Sequence, residues 1–536
     1  MSTISPELGE SAPNRLPVAP EESLPDWLKL TRPSVYLVVV IGLTYWYLAC
    51  LPLWHSDVWL QLKYGEWIWA NRQLPETEVF MPLAEGVPYT DSTWLSQLLF
   101  YGAHSAAGLD GIRLLYSVTL TAIHTSLLLA AFRTTGRMWL ALLVPATMLP
   151  LLWPNCMVPR PQLFGALLFV WLVQIACNNW QRRNWFLIPL IFLCWVNLHG
   201  SFLIGLAVLG CCVVGRAIDA WRTSGKVASV LNDPDTRRWL LVSELSIVAC
   251  LANPYGLELF RSLFALIRNQ NLRDILEWQP LSIRSMDGIG FVGSIVVLFC
   301  VFRLSRRAIT ATETLLLVGF GIACMQYTRS TLWWGLLTPY VLSPHVAESV
   351  DRYRPRKLYS GGRSLRNTVL AAAIGWILFA YSPPGLAMIH HRPRKLESQV
   401  SRFTPIATAD FLREHPPSGP IFHPLEWGDW LAWYGPEHLE CMLTSHIALV
   451  PEEIWRAYQR ITETKSGWEL TLDGLGIRTL VIDKVRQGSL LSAVRESASW
   501  RVVHEDRLGV VAHLVDGHGP SGDESNEEHE ATSSSK

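Results

Sequence analysis

Charge is scarce in this chain. Only 17% of its 536 residues are Asp, Glu, Lys or Arg, against about 25% in an ordinary soluble domain. Half of the residues are hydrophobic and mean hydropathy is +0.22. A single soluble core of this make-up would leave too little polar surface to cover it, which excludes an ordinary soluble enzyme. Disorder is excluded too, because it needs low hydrophobicity and high net charge. The 45 basic and 45 acidic residues cancel, so no global field points to nucleic acid. CxxC pairs are missing. Of the cysteines only Cys441 lies outside the apolar runs, so they read as small buried hydrophobes and not as a disulfide framework. Also missing are a GxxxxGKS phosphate loop, a dinucleotide fingerprint, a GxSxG elbow, an HExxH helix and any internal repeat. No nucleotide cofactor is therefore implied.

Long apolar runs are what the chain has instead. Candidate spans are 34–53, 112–132, 138–155, 162–180, 185–198, 200–218, 239–256, 288–303, 312–328, 330–347 and 367–386, each judged against the roughly 20 residues a bilayer requires. That is about 11 transmembrane helices, with 94–107 as a further interfacial or re-entrant stretch. Residues 1–33 are polar and Pro/Glu-rich, and the first apolar run has no small-residue cleavage site, so it reads as a retained span.

Lys and Arg set the orientation. With Lys29 and Arg32 inside, alternate loops carry Arg133 and Arg137; Arg182 and Arg183; Arg216, Arg222, Lys226, Arg237 and Arg238; Arg303, Arg306 and Arg307; and a run from Arg352 to Arg366 that includes Lys357. The expected organisation is a cytoplasmic disordered N-terminus (1–33), a transmembrane domain (34–387) with an outer loop at 54–93, a periplasmic α/β domain (388–516) and a disordered acidic tail (517–536). In the periplasmic domain, 420–422 and 479–482 read as buried strands, 502–504 with 510–514 as a hairpin, and 405–415 and 451–464 as helices. The expected location is the bacterial inner membrane, multi-pass.

The unusual polar residues near spans gather on the outer side, as a site open to that leaflet requires. Asp57 stands within four residues of the end of the first span. It reads as a general base or metal ligand, or as a helix N-cap. Asp91 is a second base candidate or a loop cap. Arg160 and Arg329 suit phosphate through the guanidinium fork, or snorkel to headgroups. His199, in Asn197-Leu198-His199-Gly200, contacts substrate or closes a polar turn. Glu277 lies in a later outer loop where an acceptor could approach. In the C-terminal region His423, Glu426, Asp429, His438 and His446 match no metal spacing, and Trp427, Trp430, Trp433 and Tyr434 read as core in preference to a sugar platform.

The order of these segments resembles a known family. His55-Ser56-Asp57-Val58-Trp59 runs into Gly65-Glu66-Trp67-Ile68, then Leu74-Pro75-Glu76-Thr77-Glu78, then Tyr89-Thr90-Asp91-Ser92-Thr93-Trp94. Arg160-Pro161-Gln162, Asn197-Leu198-His199-Gly200 and Glu426-Trp427-Gly428-Asp429-Trp430 follow. This is similar to bacterial GT-C-type polytopic glycosyltransferases, in their polyprenyl-phosphate-sugar-dependent, mannosyltransferase-like and uncharacterised branch, over most of 34–515. The resemblance implies transfer of a sugar from a polyprenyl-phosphate donor to a glycan, lipid or protein acceptor on the outer face. It implies Asp57 as catalytic or metal-binding residue, with His55 beside it as a substrate or metal contact, so a divalent metal is the one cofactor left open. His55 replaces the family's first acidic position, and Gln61 stands where many relatives have His. These departures keep a non-catalytic scaffold open, beside the third reading, a lipid or glycan transporter or flippase. Membrane lipids are expected partners and nucleic acid is not.

Overall fold

A computed structural model describes residues 25, 28–156, 158–178, 180–355, 362–391 and 394–515. The tail 517–536, most of 1–33 and the inside-loop residue Lys357 lie outside the described residues. The first part of the chain is helical: α1 (Arg32–Cys50), α2 (Val58–Asn71), α3 (Trp94–Thr135), α4 (Met138–Ala146), α5 (Leu149–Cys156), α6 (Gln162–Ala176), α7 (Asn184–Leu198), α8 (Phe202–Ser224), α9 (Val227–Asn232), α10 (Pro234–Cys250), α11 (Glu258–Arg268), α12 (Met286–Leu304), α13 (Ala311–Gln326), α14 (Thr331–Tyr353), α15 (Leu365–Ala380) and α16 (Pro383–His390).

The count of eleven spans is not what the helices give. Among the described residues four are long and apolar enough to cross a membrane: α1, α3, α8 and α12. The pair α15 and α16, bent by 82°, makes a fifth if it is one span. Prolines and short lengths account for the difference. The run 138–155 splits into α4 and α5, with Pro145 and Pro154 inside them, because proline removes a backbone donor and clashes with the preceding turn. Helices α6, α7 and α13 are apolar but only 15, 15 and 16 residues long, or about 22–24 Å at 1.5 Å per residue. The stretch 94–107 and the span 112–132 form one element, α3, broken at Ala107–Gly108. Gly108 takes φ 58° there, a region glycine enters without a Cβ penalty.

The helical core centres on Phe169, Phe192, Trp195, Phe202 and Trp333, all nearly or fully buried. The outside of the helices is apolar as well. α10 exposes Leu240, Leu241, Leu245, Ile247 and Val248, and α12 exposes Ile289, Val292, Ile295, Val296 and Phe299. Contiguous apolar surface of this kind suits a lipid solvent and not water.

The basic loops meet at one end of the bundle. Arg137 pairs with Asp351 at 3.0 Å, Arg352 Nη2 donates to Leu304 O at 3.2 Å, and Arg307 pairs with Glu313 at 2.7 Å. Helices that end here, such as α3 and α12, begin at the opposite end, beside the outer-loop residues.

The last part is an α/β lobe: α17 (Leu396–Gln399), α18 (Ile406–Glu414), β1 (Ile421–Phe422), α19 (Gly428–Tyr434), α20 (Glu452–Thr462), α21 (Trp468–Gly474), β2 (Thr479–Asp483), α22 (Gly488–Glu496), β3 (Trp500–Glu505) and β4 (Gly509–Leu514). The strands and both helices read from the sequence are present. The sheet order is β1-β2-β4-β3, with β1 parallel to β2 and the other pairs antiparallel. Trp427 and Trp430 are buried in its core.

The lobe grips the first outer loop on both sides. Leu53 N–H donates to Gln399 O at 2.9 Å, and Ser401 N–H donates to Leu53 O at 2.8 Å. Helix α19 packs on α2, with the Trp59 and Trp430 rings edge to face at 4.7 Å. Helix α2 in turn lies close on α3. A Cβ at Gly65 would come within 2.3 Å of Gln97 O, so this close approach requires glycine.

Candidate active site

Three of the residues singled out in the sequence come into direct contact. Arg160 lies just before α6, within the proline-bounded turn Pro159-Arg160-Pro161. Its Nη2 is 3.1 Å from Asp57 Oδ2, and its Nη1 is 2.6 Å from Glu277 Oε1. Burial works against the Arg160 charge, but the Asp57 and Glu277 carboxylates outweigh it and hold the guanidinium above its ordinary value. Its Nε has no hydrogen-bond partner among the described residues.

Asp57 also accepts from Ser56 Oγ at 2.9 Å through the same Oδ2. Its backbone is strained. It has φ 61° and ψ −61°, and Val58 N–H donates to Ser56 O at 2.7 Å across it. That is a γ-turn of the rare strained hand. Non-glycine residues held in such regions cost on the order of 1–3 kcal/mol each and cluster at functional sites.

Arg329 completes the group electrostatically. It sits in a short 3-10 turn (Thr328–Ser330) with its guanidinium over the Trp278 ring, 4.3 Å from the centroid. Burial lowers its basicity; Glu277 and Asp57 oppose that, and Arg160 adds to it. The four charges of Asp57, Glu277, Arg160 and Arg329 cancel.

His199 caps α7. Its Nδ1 accepts from Ser201 N–H at 3.1 Å and lies 2.8 Å from Ser201 Oγ. Burial first, and Arg329 second, push its pKa down to about 3, so the ring is neutral near pH 7. The arrangement is the polar turn, placed within the field of Arg329.

The remaining candidates have other hydrogen-bond partners. Asp91 is fully buried and accepts from Thr93 N–H at 2.8 Å and Thr93 Oγ1 at 2.9 Å, at the head of α3. This is an Asx-turn leading into the helix, and burial raises its carboxyl. His55 turns away from Asp57's partners. Its Nδ1 is 3.2 Å from Ser401 Oγ and its Nε2 is 3.7 Å from Glu426. Burial and then Arg486 bring its pKa down to about 4. Gln61 Oε1 accepts from Thr93 Oγ1 at 3.5 Å. Among the described residues no group of three or more His, Cys, Asp or Glu side chains converges as a metal would need. Asp57 and His55 face different partners and do not form a ligand pair, so the side chains at this point do not fit a divalent metal.

Two participants carry no local signal in the sequence. Trp278 is the shelf under Arg329. Asp429, noticed only as one of several scattered acidic and His residues, accepts the Asp57 backbone N–H at 2.8 Å through Oδ2. The motif Glu426–Leu431 was visible, but its long-range partner was not.

No protein-family model matches the chain, and no curated protein matches it. Solved structures do. One is ArnT from Cupriavidus metallidurans bound to undecaprenyl phosphate, with 13% identity, 91% of this chain and 99% of that one covered, and a TM-score of 0.48. Another is the arabinofuranosyltransferase AftD from Mycobacteria, with 14% identity, 90% of this chain covered and a TM-score of 0.50. This chain spans 42% of AftD's length. At this identity the likeness to AftD is one of fold. The likeness fits the coarse expectation, a polytopic helical membrane fold with a small sheet, and does not extend to the count of eleven spans.

Proposed function

We propose that this chain is a multi-pass inner-membrane glycosyltransferase. It moves a sugar from a polyprenyl-phosphate donor to a glycan, lipid or protein acceptor at the outer face. The observation that carries the reading is the contact of Arg160 with Asp57 and Glu277, with Arg329 beside them, at the bundle end opposite the basic loops. A polyprenyl-phosphate sugar is the donor class that the family resemblance implies, and two guanidiniums suit its phosphate.

Transfer from a sugar phosphate needs a base for the acceptor hydroxyl and cations for the leaving phosphate. Asp57 Oδ2 is occupied by Arg160 and Ser56, while its Oδ1 accepts no hydrogen bond among the described residues. The donor phosphate competes for Arg160 and Arg329. As Arg160 turns to the phosphate, Asp57 is released to take the acceptor proton. The acceptor oxygen bonds to the anomeric carbon, the bond from that carbon to the phosphate oxygen breaks, and polyprenyl phosphate leaves on the guanidiniums. Glu277 keeps its hold on Arg160 Nη1 while Nη2 turns from Asp57 to the phosphate.

The test is transfer from a polyprenyl-phosphate sugar by purified protein in nanodiscs. Asp57→Asn removes the base while keeping the shape. Transfer should drop by roughly 100-fold or more, the usual weight of a general base, with protein level and thermal midpoint unchanged. Wild-type transfer by Asp57→Asn would remove Asp57 from the mechanism.

A further inference from the structure

The Asp57 γ-turn has a specific geometric requirement. Its own hydrogen bond uses Ser56 O and Val58 N–H. The Asp57 N–H, at the middle of the turn, points away from it and needs an acceptor from elsewhere, because a buried backbone donor is seldom left unpaired. That acceptor comes from the C-terminal lobe. Asp429, at the first turn of α19, is 1% exposed. Its Oδ2 takes the Asp57 N–H at 2.8 Å and its Oδ1 takes the Ser445 N–H, also at 2.8 Å.

A buried carboxylate is costly unless its oxygens are hydrogen-bonded. Here each oxygen has a backbone donor, one from the lobe itself and one from the membrane-end loop. The same lobe holds the chain on both sides of Asp57. Leu53 bridges to 399–401, and α2 carries Lys63, whose Nζ donates to Ala432 O in α19. The strained turn is thus enclosed by lobe contacts before, at and after it, and only the one at its centre goes to a carboxylate.

We infer that Asp429 is a positioning residue for the transfer: it fixes the Asp57 backbone in the strained turn, so that the Asp57 side chain is aimed at Arg160. This rests on the reading of Asp57 as the base. It assigns the C-terminal lobe a part in the reaction, namely holding the base from behind, with no contact between Asp429 and substrate. Burial, and secondly the nearby Asp57 charge, push the Asp429 pKa up to about 6, as expected for a carboxylate kept in place by geometry at a cost in solvation.

The experiment uses the full chain in nanodiscs and compares wild type, Asp429→Asn and Leu490→Ala. The Asn side chain keeps the shape, but only one of its two terminal atoms is an acceptor, so it cannot receive both N–H groups. Leu490 is fully buried in the lobe core on α22, far from the site in role, and its truncation reports what loosening the lobe does by itself. For Asp429→Asn the expected result is a 10- to 100-fold fall in kcat and a donor KM within twofold of wild type. Hydrogen exchange should also speed up in the peptide covering 54–62. Leu490→Ala should lower the thermal midpoint and leave kcat within twofold. A wild-type kcat in Asp429→Asn would overturn the inference. So would unchanged exchange at 54–62, or a kcat loss in Leu490→Ala equal to that of Asp429→Asn. An active Asp429→Asn beside an inactive Asp57→Asn sinks the positioning role alone. A fully active Asp57→Asn sinks the base and the positioning role with it.

Discussion

Arg160 holds Asp57 across 3.1 Å, although four helices, α2 to α5, lie between them in sequence and only the folded bundle brings them together. The guanidinium fork reaches Asp57 and Glu277 at once through two different nitrogens. A lysine has the charge but a single donor point, so it cannot span both carboxylates. Arg160→Lys should therefore lose most of the transfer activity, on the order of 10- to 100-fold, the scale of one or two charge-assisted hydrogen bonds. The double variant Arg160→Lys with Asp57→Asn should lose much less than the product of the two single losses, because neighbours in one network do not add. Initial rates at saturating acceptor give the comparison. A simple product of the two effects would show that the residues act separately.

The seat of the site is the tight packing of α2 on α3. A methyl group at Gly65 would lie 2.3 Å from Gln97 O and 2.7 Å from Tyr101 Cβ, and neither the backbone oxygen nor the buried α3 can yield cheaply. Gly65→Ala should destabilise the protein by about 1–3 kcal/mol, the usual cost of overpacking, and should also reduce transfer because α2 begins at Val58, directly after Asp57. Gly86→Ala does not test the same thing, since φ there is +78°. Gly102→Ala, with open space around it, is the proper control and should leave the thermal midpoint within a degree or two.

Much of the fold is legible in the sequence, for identifiable reasons. The lobe strands show because Thr479-Leu480-Val481-Ile482 and Val510-Val511-Ala512 are short β-branched runs between turns, a local signal. Asp57 and Arg160 can be named because they are charges next to apolar runs, where charge is expensive, and Glu277 because it lies in an outer loop open to an acceptor. That they touch cannot be read, since a contact across the bundle has no local sequence signature. The number of spans is not confirmed, for the opposite reason. Hydropathy measures apolar length but not where Pro145 or the Ala107–Gly108 break bends a helix. Asp429 stays hidden because its partner is a backbone N–H, and nearly any residue type carries one.

Histidine burial in the lobe gives a pH prediction. His423 is fully buried, with Nδ1 3.0 Å from Pro424 O and Nε2 3.5 Å from Leu443 N. The neutral ring can donate to one and accept from the other, whereas a protonated ring would set a second N–H against the Leu443 N–H. Burial brings its pKa from 6.5 down to about 4. The unfolded chain therefore binds a proton near pH 6.5, while the folded chain waits until about pH 4. The contribution is complete above pH 6.5 and is lost as pH falls towards 4. It is on the order of 3 kcal/mol. Other groups titrate in the same window, Asp429 among them with the opposite sign, so the measurement is a difference. The gap in thermal midpoint between wild type and His423→Gln should shrink as pH drops from 7 to 4. A constant gap would show that His423 does not resist protonation in the fold.

Arg329 differs from Arg160 in that no carboxylate pairs with it within 4 Å among the described residues, and its planar face lies on Trp278 at 4.3 Å. A stacked guanidinium keeps its edge donors free for phosphate while its face is desolvated. If it receives the donor phosphate, Arg329→Gln should raise the KM for the polyprenyl-phosphate sugar about tenfold or more, the scale of one charge-assisted hydrogen bond, with the acceptor KM unchanged. Arg329→Lys should recover little, because an ammonium on a flexible stem does not stack in the same plane. Trp278→Leu should give a smaller rise of the same kind by removing the shelf while leaving the cation. A donor KM that stays at the wild-type value in Arg329→Gln would assign Arg329 to the structure of the outer turn and leave Arg160 as the sole phosphate contact.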